Sequence, residues 1–304
     1  MLPKVGIVLL NWNSFKDSQK CLQSLKKINY SNYQIYLVDN GSSNKEGEAL
    51  KKEFPEIILI KNEKNEGFAK GNNIGIRKAL GDGANYVLLL NTDTTVDPKF
   101  LSEMVKVGKT HLEAGVIGSK VFFMERPEKL IHFGLYLDVN NSKIVSDGFD
   151  GKDEDFKEVK EYDYVGGCCL LIKKETIDKV GLLDERFFAY FEESDWCFRV
   201  KEIGQKVLGA PKAKIWHKMP YPPIDKRGAF QNYLVTRNRL LFTRKRLKSG
   251  FLRYFFKSMP DYLFIPMLKS IEHLTLDSTL AYLLGYLDFV TNNYSQNNLK
   301  LFLK

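Results

Sequence analysis

The protein has 304 residues, of which 44% are hydrophobic and 27% are charged. This composition is typical of a globular protein and excludes a largely disordered chain, a collagen-like repeat and a disulfide-rich scaffold. The length favours two domains, or one large α/β domain with an appendage.

No uncharged apolar run reaches the roughly 18 residues of a conventional transmembrane helix, and the N-terminus lacks the layout of a secretory signal. Four cysteines without a CxxC pair predict reduced, buried thiols in a cytosolic protein.

The net charge of +9 is concentrated in one segment of the chain. Between residues 226 and 257 there are ten basic residues and no acidic residue, so the remaining residues together carry a charge of −1. The basic residues are Lys226, Arg227, Arg237, Arg239, Arg244, Lys245, Arg246, Lys248, Arg253 and Lys257. Such a distribution indicates a local anionic partner rather than a nucleic-acid-binding protein that is basic throughout.

Strand and helix patterns alternate over the first 120 residues. Short β-branched or leucine-rich runs predict strands at Val5–Leu10, Gln34–Asp39, Ile57–Lys61, Tyr86–Leu90 and Ala114–Lys120. Amphipathic patterns predict helices at Phe15–Ile28, Lys45–Phe54, Ala69–Leu80 and Lys99–His111. This alternation predicts an α/β fold with a mainly parallel sheet flanked by helices. Ligands of such sheets bind beyond the carboxyl ends of the strands, so the polar residues that follow each strand are the first candidates for a site.

The second half of the chain has a different pattern. Residues 121–149 read as strands and turns, and residues 150–161 as a charged surface loop. Strands are predicted at Tyr162–Val165 and Cys168–Ile172, helices at Lys174–Val180 and Ser194–Ile203, and two short strands at Lys206–Ala210 and Ala213–Trp216 around Pro211. The chain is helical after Gly228. The pattern therefore predicts an α/β part over residues 1–225 and a basic helical region over 226–304.

Each candidate site residue has a functional and a structural interpretation. Asp39 ends a strand and could accept the imide N–H of a uracil or thymine, or cap the following helix. The glycine-punctuated segment from Asn65 to Gly75 could let backbone approach a phosphate at a helix N-terminus, or could pack closely on the sheet. Asp93, in Asn91-Thr92-Asp93, leaves a buried strand and suits a hard divalent cation. A lone histidine such as His217 is more often structural than a ligand.

An acidic cluster at Glu192-Glu193-Ser194-Asp195 follows a run of aromatic residues. Carboxylates that repel one another in apolar surroundings have raised pKa values, which suits a general base. Acidic residues are also common in the first turn of a helix, where they face its positive end. The pattern does not choose between these two interpretations.

The ordered set of these motifs resembles family 2 glycosyltransferases of the GT-A fold, over roughly residues 4–220. Within the family, the chain is most similar to the rhamnosyltransferase and galactofuranosyltransferase-like branch. The resemblance rests on Asn-Trp-Asn at 11–13, Asp-Asn-Gly-Ser at 39–42, the glycine-rich segment, Asn-Thr-Asp at 91–93, Glu-Glu-Ser-Asp-Trp at 192–196 and Trp-His at 216–217.

The resemblance implies that residues 1–225 are a GT-A catalytic domain, with a nucleotide-sugar half over 1–120 and an acceptor and catalytic half over 121–225. It also implies a role for each matching residue. Binding of the nucleotide sugar would involve Asn11, Asn13, Asp39, Gly67, Phe68, Gly71, Asn72, Asn73 and Asn91. A Mg²⁺ or Mn²⁺ ion would bind Asp93 and His217. The catalytic base would be Glu193, with Asp195 as its competitor. Asn91 and Glu193 stand where many relatives have Asp, so a catalytically impaired nucleotide-sugar-binding protein is the alternative.

The implied enzyme is an inverting, metal-dependent hexosyltransferase. Its donor would be a UDP- or dTDP-linked sugar and its acceptor a glycan or lipid-linked saccharide, as in polysaccharide biosynthesis. The basic C-terminal region, which interleaves apolar and basic residues, has the pattern of an interfacial membrane helix. This predicts a cytoplasmic protein bound peripherally to the cytoplasmic face of an anionic membrane, through Arg244, Lys245 and Arg246 and through Phe251, Tyr254, Phe255 and Phe256. The alternative is a helical appendage that packs on the catalytic domain or forms a homodimer. We expect no nucleic-acid partner.

Overall fold

The computed structural model describes residues 1–138, 143–221, 228–247, 250–272 and 275–302. The chain forms two compact units. The first unit comprises Met1–Tyr136, Val145–Asp184 and Glu193–Pro223. The second unit comprises Leu137–Ile144, Glu185–Glu192 and Ile224–Lys304.

A ten-stranded sheet forms the centre of the first unit. Its strands are β1 Val5–Asn11, β2 Tyr33–Asp39, β3 Ile58–Lys61, β4 Tyr86–Leu90, β5 Thr94–Val96, β6 Ala114–Phe123, β7 Leu130–His132, β10 Lys160–Tyr162, β11 Cys169–Lys173 and β12 Lys206–His217. Their order is β10-β12-β6-β11-β4-β1-β2-β3, with β5 also paired to β12 and β7 to β6. Two further strands, β8 Gly134–Asp138 and β9 Lys143–Asp147, form a separate pair.

Strands β1, β2, β3 and β4 are mutually parallel, and β12 is parallel to β6. The intervening strand β11 is antiparallel to both β4 and β6. The carboxyl ends of the parallel strands meet at one edge, where Asn11 lies in register with Asp39. This arrangement confirms the predicted α/β fold with a central sheet flanked by helices.

The helices that accompany the sheet in the described part of the chain are α1 Phe15–Leu25, α2 Glu46–Glu53, α3 Gly67–Gly81, α4 Phe100–Thr110, α5 Lys174–Val180 and α6 Glu192–Glu202. Helix α3 packs against β1 because two glycines one turn apart face that strand. A Cβ atom on Gly71 would lie 2.5 Å from Leu10, and one on Gly75 would lie 2.4 Å from Val8. Helix α4 packs against β6 and β12.

The structure differs from the predicted elements at several places. Strand β5 was not predicted, and the strand predicted at Tyr162–Val165 is β10 at Lys160–Tyr162. One strand, β12, runs through Pro211 where two were predicted, and its pairing with β6 shifts between Ala210 and Lys214. A proline can stay within a strand where the ladder is already irregular. The predicted charged loop contains a 3₁₀ turn at Asp153–Asp155 and the start of β10 at Lys160. All four cysteines are buried and free, as predicted.

The second unit is helical after Gly228, as predicted. Its helices are α7 Ala229–Arg246, α8 Phe251–Met259, α9 Ile265–Glu272 and α10 Leu276–Val290. A π-helical turn, Pro260–Phe264, joins α8 to α9, and α10 packs on α7 and α9. Within the described ranges, no helix combines the length and apolar character needed to span a bilayer.

Two buried polar residues of α7 hold the loop at residues 186–191. Arg237 is 1% exposed and donates hydrogen bonds to the carbonyl oxygens of Arg186 and Phe187, at 3.0 and 3.1 Å. The Asn238 amide donates to three carbonyl oxygens at 2.7 to 3.0 Å, those of Phe187, Ala189 and Tyr190. The two side chains therefore donate to four backbone carbonyl oxygens of an irregular loop.

The same loop contains backbone strain. Phe188, Tyr190 and Phe191 have φ values of 64°, 70° and 74°, a region that residues with a side chain adopt at a cost of about 1–3 kcal/mol each. The side chains of Arg237 and Asn238 therefore stabilise a conformation that the loop would not adopt alone.

We predict that Asn238→Leu lowers the free energy of unfolding by about 2–4 kcal/mol, because it removes three hydrogen bonds that the buried amide of Asn238 makes to this loop. Urea denaturation followed by circular dichroism measures this change. The control is Asn44→Leu at an exposed position, which should change stability by less than about 0.5 kcal/mol. Equal stabilities of the two variants would contradict the assigned role of Asn238.

Candidate functional site

The carboxyl ends of β1 and β2 carry two buried polar residues, Asn11 and Asp39. The carboxylate of Asp39 accepts hydrogen bonds from the backbone N–H groups of Ser42, at 3.2 Å, and Gly47, at 3.0 Å. Gly47 lies in the first turn of α2, so Asp39 does cap that helix. Each carboxylate oxygen has a further acceptor position, so capping and base recognition are compatible.

Asn11 and Asn13 organise the loops around this edge. The Asn11 amide donates to Ser42 Oγ at 3.0 Å and to Glu46 Oε2 at 3.1 Å, and its carbonyl accepts from Ser18 Oγ at 2.6 Å. Asn13 has a φ of 49°, and its side-chain oxygen accepts two bonds from Ser43, at 3.0 and 3.1 Å. Both asparagines therefore hold neighbouring segments in place through hydrogen bonds, and any contact with a substrate would be additional.

The glycine-rich segment begins helix α3 next to the end of β2. Asn40, from the Asp-Asn-Gly-Ser motif at 39–42, donates to Asn65 Oδ1 at 3.0 Å and accepts from the backbone N–H of Glu66 at 3.1 Å. These two bonds fix the backbone of residues 65 and 66, which precede the N-terminus of α3 at Gly67. Positive charge at such a terminus favours a phosphate.

Three other residues of this segment differ in their surroundings. Phe68 is half-buried, whereas Asn72 and Asn73 are buried. The Asn72 amide donates to the Phe68 carbonyl at 2.9 Å. The Asn73 side chain forms a reciprocal pair with the backbone of Leu183, at 2.9 and 3.0 Å. Asn73 thus joins α3 to the loop that follows α5.

Asp93 and His217 form a direct pair. The distance between Asp93 Oδ1 and His217 Nε2 is 3.1 Å. The pair forms because β12 pairs with β5 so that His217 lies opposite Thr94. Asn91 directly follows β4 and is half-buried, with its backbone N–H donating to the Cys168 carbonyl at 3.0 Å. The two predicted metal ligands are therefore together, beside the end of β4.

The two acidic candidates on α6 have different environments. Asp195 is completely buried and accepts a hydrogen bond from Arg199 Nε at 2.9 Å. The same guanidinium donates to the Leu182 carbonyl at 2.7 Å. Glu193 is only half-buried and accepts from Ser194 Oγ at 3.2 Å. Glu193 is thus the more accessible of the two carboxylates.

Gly166, Gly167 and Cys168 lie between the pair and the acidic cluster. A Cβ atom on Gly167 would be 3.4 Å from Glu193 Cγ. Burial raises the pKa of the Cys168 thiol well above its ordinary value, and the carboxylates of Asp93 and Glu193 raise this pKa further. The Cys168 carbonyl accepts the backbone N–H of Asn91 at 3.0 Å and Gly167 lies beside Glu193, so residues 91–93 and Glu193 belong to one region.

His132, at the end of β7, belongs to the same region and was not predicted. A Cβ atom on Gly166 would lie 2.7 Å from His132 Nε2. Burial, followed by the charge of His217, lowers the pKa of His132 to about 4, so its imidazole is neutral near pH 7. Its Nδ1 atom is buried and has no hydrogen-bond partner among the described residues. Nothing in the local sequence indicates that β7 pairs with β6, so no signal pointed to His132.

The Asp93–His217 pair fits a divalent cation that is shared with a substrate. Across the described residues, no three or more His, Cys, Asp or Glu side chains form a complete metal site. Cations such as Mg²⁺ commonly bind one or two protein groups together with substrate phosphates, and ligand bonds of about 2.1 Å place adjacent ligands about 3 Å apart. The 3.1 Å between Asp93 Oδ1 and His217 Nε2 agrees with this spacing.

Comparisons with known proteins identify one family model and several relatives that this chain matches. A model of the family described as "Glycosyl transferase family 2" matches residues 7–180. The low-salt glycan biosynthesis hexosyltransferase Agl10 of Haloferax volcanii is 24% identical over 79% of this chain and 76% of its own length. The N-acetylglucosaminyl-diphospho-decaprenol L-rhamnosyltransferase of Mycobacterium tuberculosis is 22% identical over 71% of this chain and 76% of its own length.

Solved structures share the fold. The mannosyltransferase PcManGT from Pyrobaculum calidifontis, in complex with GDP-Man and Mn²⁺, superimposes with a TM-score of 0.59 and 13% identity, over 95% of this chain and 88% of that chain. GalNAc-T7 with UDP, GalNAc and Mn²⁺ superimposes with a TM-score of 0.60 and 16% identity, over 78% of this chain and 48% of that chain.

We predict that His132 makes stability fall as the pH falls from about 6.5 to about 4. The folded pKa lies below that of an unfolded histidine, so the unfolded chain binds more protons in this window. The variant His132→Gln should show a shallower decline in urea denaturation across this window. His111→Gln, at a half-buried histidine whose Nδ1 lies 3.5 Å from Glu113 Oε1, should decline more like the wild type than His132→Gln does. A wild-type slope in His132→Gln would contradict the prediction.

Proposed function

Because the chain belongs to glycosyl transferase family 2, we propose that it moves a sugar from a UDP- or dTDP-linked donor to a glycan or lipid-linked saccharide, with inversion at the anomeric carbon. The observation that carries this proposal is the Asp93–His217 pair beside the carboxyl end of β4. A carboxylate and an imidazole side by side at that edge can hold a divalent cation, and the cation can bind the diphosphate of the donor.

The nucleotide binds at the ends of β1 and β2. Asp39 accepts the imide N–H of the base while it caps α2, and Asn91 donates a hydrogen bond to the ribose. The N-terminus of α3, from Gly67, faces the phosphates with backbone N–H groups. Asn11, Asn13 and Asn73 act by holding the surrounding loops in place.

A Mg²⁺ or Mn²⁺ ion would be held by Asp93 and His217. When bound, it neutralises the charge that develops on the departing diphosphate. The structural neighbours solved with Mn²⁺ support this part of the proposal. The removal of the acceptor proton is the work of a side chain of the protein.

Glu193 takes the proton from an acceptor hydroxyl. The resulting oxygen attacks the anomeric carbon on the face opposite the diphosphate, a new C–O bond forms, and the bond to the diphosphate breaks with its electron pair. One displacement inverts the anomeric centre. We assign Asp195 to positioning, because its ion pair with Arg199 occupies it within the protein.

A relative supports the acceptor class and the location in this proposal. One relative is named for a diphospho-decaprenol acceptor, which favours a lipid-linked acceptor here. An enzyme that uses such an acceptor works at a membrane surface, so we propose peripheral association with the cytoplasmic face.

The first test is Asp93→Asn. Loss of the charged ligand should lower metal-dependent transfer or donor hydrolysis by about 10²-fold or more, while circular dichroism remains unchanged. His217→Ala should weaken the Mn²⁺ dependence less strongly. Asp178→Asn, at an exposed acidic residue, is the control and should behave as wild type. Wild-type Mn²⁺ dependence in Asp93→Asn would refute the ligand assignment.

The second test is Glu193→Gln. The amide cannot accept the acceptor proton, so transfer should fall by about 10²–10⁴-fold. The stabilisation of the protein by donor and Mn²⁺ in thermal unfolding should persist. Asp195→Asn is the comparison: if it abolishes transfer in a folded protein while Glu193→Gln does not, the base is Asp195. If neither wild type nor variants process any donor, the protein is a nucleotide-sugar-binding protein without catalysis.

A further inference from the structure

The loop at residues 186–191 leads directly into the helix that carries the proposed base. Helix α6 begins at Glu192, and Glu193 is its second residue. Just before this helix, Phe188, Tyr190 and Phe191 have φ values in the left-handed region. The course of a chain depends on its φ and ψ angles, so the conformation of the loop decides the direction in which the chain enters α6.

One face of α7 holds this loop. Besides the hydrogen bonds to the carbonyl oxygens of the loop, the ring of Phe242 lies 5.7 Å from that of Phe191. Lys245 Nζ lies 5.4 Å from the ring centre of Phe187. Positions 238, 242 and 245 follow one another at spacings of four and three residues, which places them on one side of a helix. The loop and α7 both belong to the second unit, so these contacts lie within one compact unit.

The conformation of the loop is unfavourable without this support. Left-handed backbone at residues with large side chains is strained, and it persists only where the surrounding structure enforces it. Burial of a guanidinium and an amide is also unfavourable unless both are hydrogen-bonded. Backbone strain of this kind clusters at functional sites. The group with a proposed chemical role that lies nearest along the chain is Glu193, two residues after Phe191.

The contacts of α7 correct the expected role of its basic residues. Arg244 donates to Asn292 Oδ1 at 3.0 Å, and Lys245 lies over an aromatic ring of the loop. The guanidinium of Arg246 lies 5.8 Å from the ring centre of Phe242. The three cations expected at a membrane therefore contact side chains of the second unit. Among the other basic residues of the cluster, three lie outside the described part of the chain: Lys226, Arg227 and Lys248.

The expected apolar membrane contacts are corrected in the same way. Tyr254 is buried, and the rings of Phe251 and Phe255 pack against that of Phe289. Of the four residues expected to insert, Phe256, 66% exposed, is the one with a largely open side chain. The other three aromatic side chains therefore stabilise the second unit.

We propose that Arg237 and Asn238 are positioning residues for Glu193. They fix the loop at residues 186–191, the loop fixes the first turn of α6, and that turn directs the Glu193 carboxylate towards the acceptor hydroxyl. The connection runs along the peptide chain, and neither of the two side chains contacts the substrate. This inference deepens the proposed function, on which it rests for the role of Glu193 as the base.

Steady-state transfer by Asn238→Ala tests the proposal. Loss of the three hydrogen bonds frees the loop, so kcat should fall by about 10–10²-fold, since a misplacement of about 1 Å costs up to about 10²-fold. Stabilisation of the protein by donor and Mn²⁺ in thermal unfolding should stay at the wild-type value. The matched control is Leu263→Ala, at a buried residue of the π-helical turn, which packs on α8, α9 and α10. It should destabilise the second unit and leave kcat unchanged.

The double variant Asn238→Ala, Glu193→Gln separates positioning from a general structural effect. If Asn238 acts through Glu193, loss of the base already includes the loss of its positioning, so the double variant should transfer no more slowly than Glu193→Gln alone. Additive losses in the double variant would overturn the inference. So would a wild-type kcat in Asn238→Ala, or an equal fall of kcat in Asn238→Ala and Leu263→Ala.

Hydrogen–deuterium exchange tests the positioning without any need for activity. Backbone amides of residues 188–196 should exchange faster in Asn238→Ala but not in Leu263→Ala, and unchanged exchange there would overturn the inference. A wild-type protein that transfers no sugar would refute the proposed function, while exchange would still decide whether α7 fixes the start of α6. Circular dichroism at the assay temperature checks folding. If Asn238→Ala does not fold, Asn238→Ser, which keeps one hydroxyl donor, replaces it in every experiment.

Discussion

The pairing of β12 with both β5 and β6 is the constraint on which the candidate site depends. Asp93 and His217 are 124 residues apart in the chain, and they meet because His217 lies opposite Thr94 on β5 and opposite Phe123 on β6. A shift of one residue in this register would turn the imidazole to the other face of the sheet. The irregular pairing between Ala210 and Lys214 sets that register. The function of the site therefore depends on a strand that lies far from it in sequence.

Most polar side chains at the carboxyl edge of the sheet already form hydrogen bonds within the protein. Asn11, Asp39 and Asn73 each hydrogen-bond a loop or a helix end. Such bonds order the loops before any ligand arrives, which reduces the entropy lost on binding. Asp93, His217 and Glu193 differ from this group, because each is only partly buried. The edge thus combines a rigid frame with a few accessible groups that can contact a substrate.

The alternation of strands and helices could be predicted from the sequence because periodicity carries that information, whereas a joint role for Asp93 and His217 was implied by the resemblance to a known family. The pairing partners of β11 and β7 could not be predicted, since a short apolar run does not specify its neighbours. His132 was missed for that reason. The burial of Arg237 could not be predicted either, because a cluster of ten cations is typical of a charged surface. The structure shows that the carbonyl oxygens of residues 186 and 187 accept hydrogen bonds from Arg237 of α7.

The central claim is that Asp93 and His217 hold the cation that accompanies the donor diphosphate. The most direct measurement is an anomalous diffraction map from crystals grown with Mn²⁺ and a nucleoside diphosphate. We predict one manganese peak within bonding distance of both Asp93 and His217, with the carboxylate and imidazole no longer bonded to each other, and with the diphosphate oxygens completing the ion's ligands. A bound nucleotide with its manganese at other side chains, and with the hydrogen bond between Asp93 and His217 intact, would contradict the account.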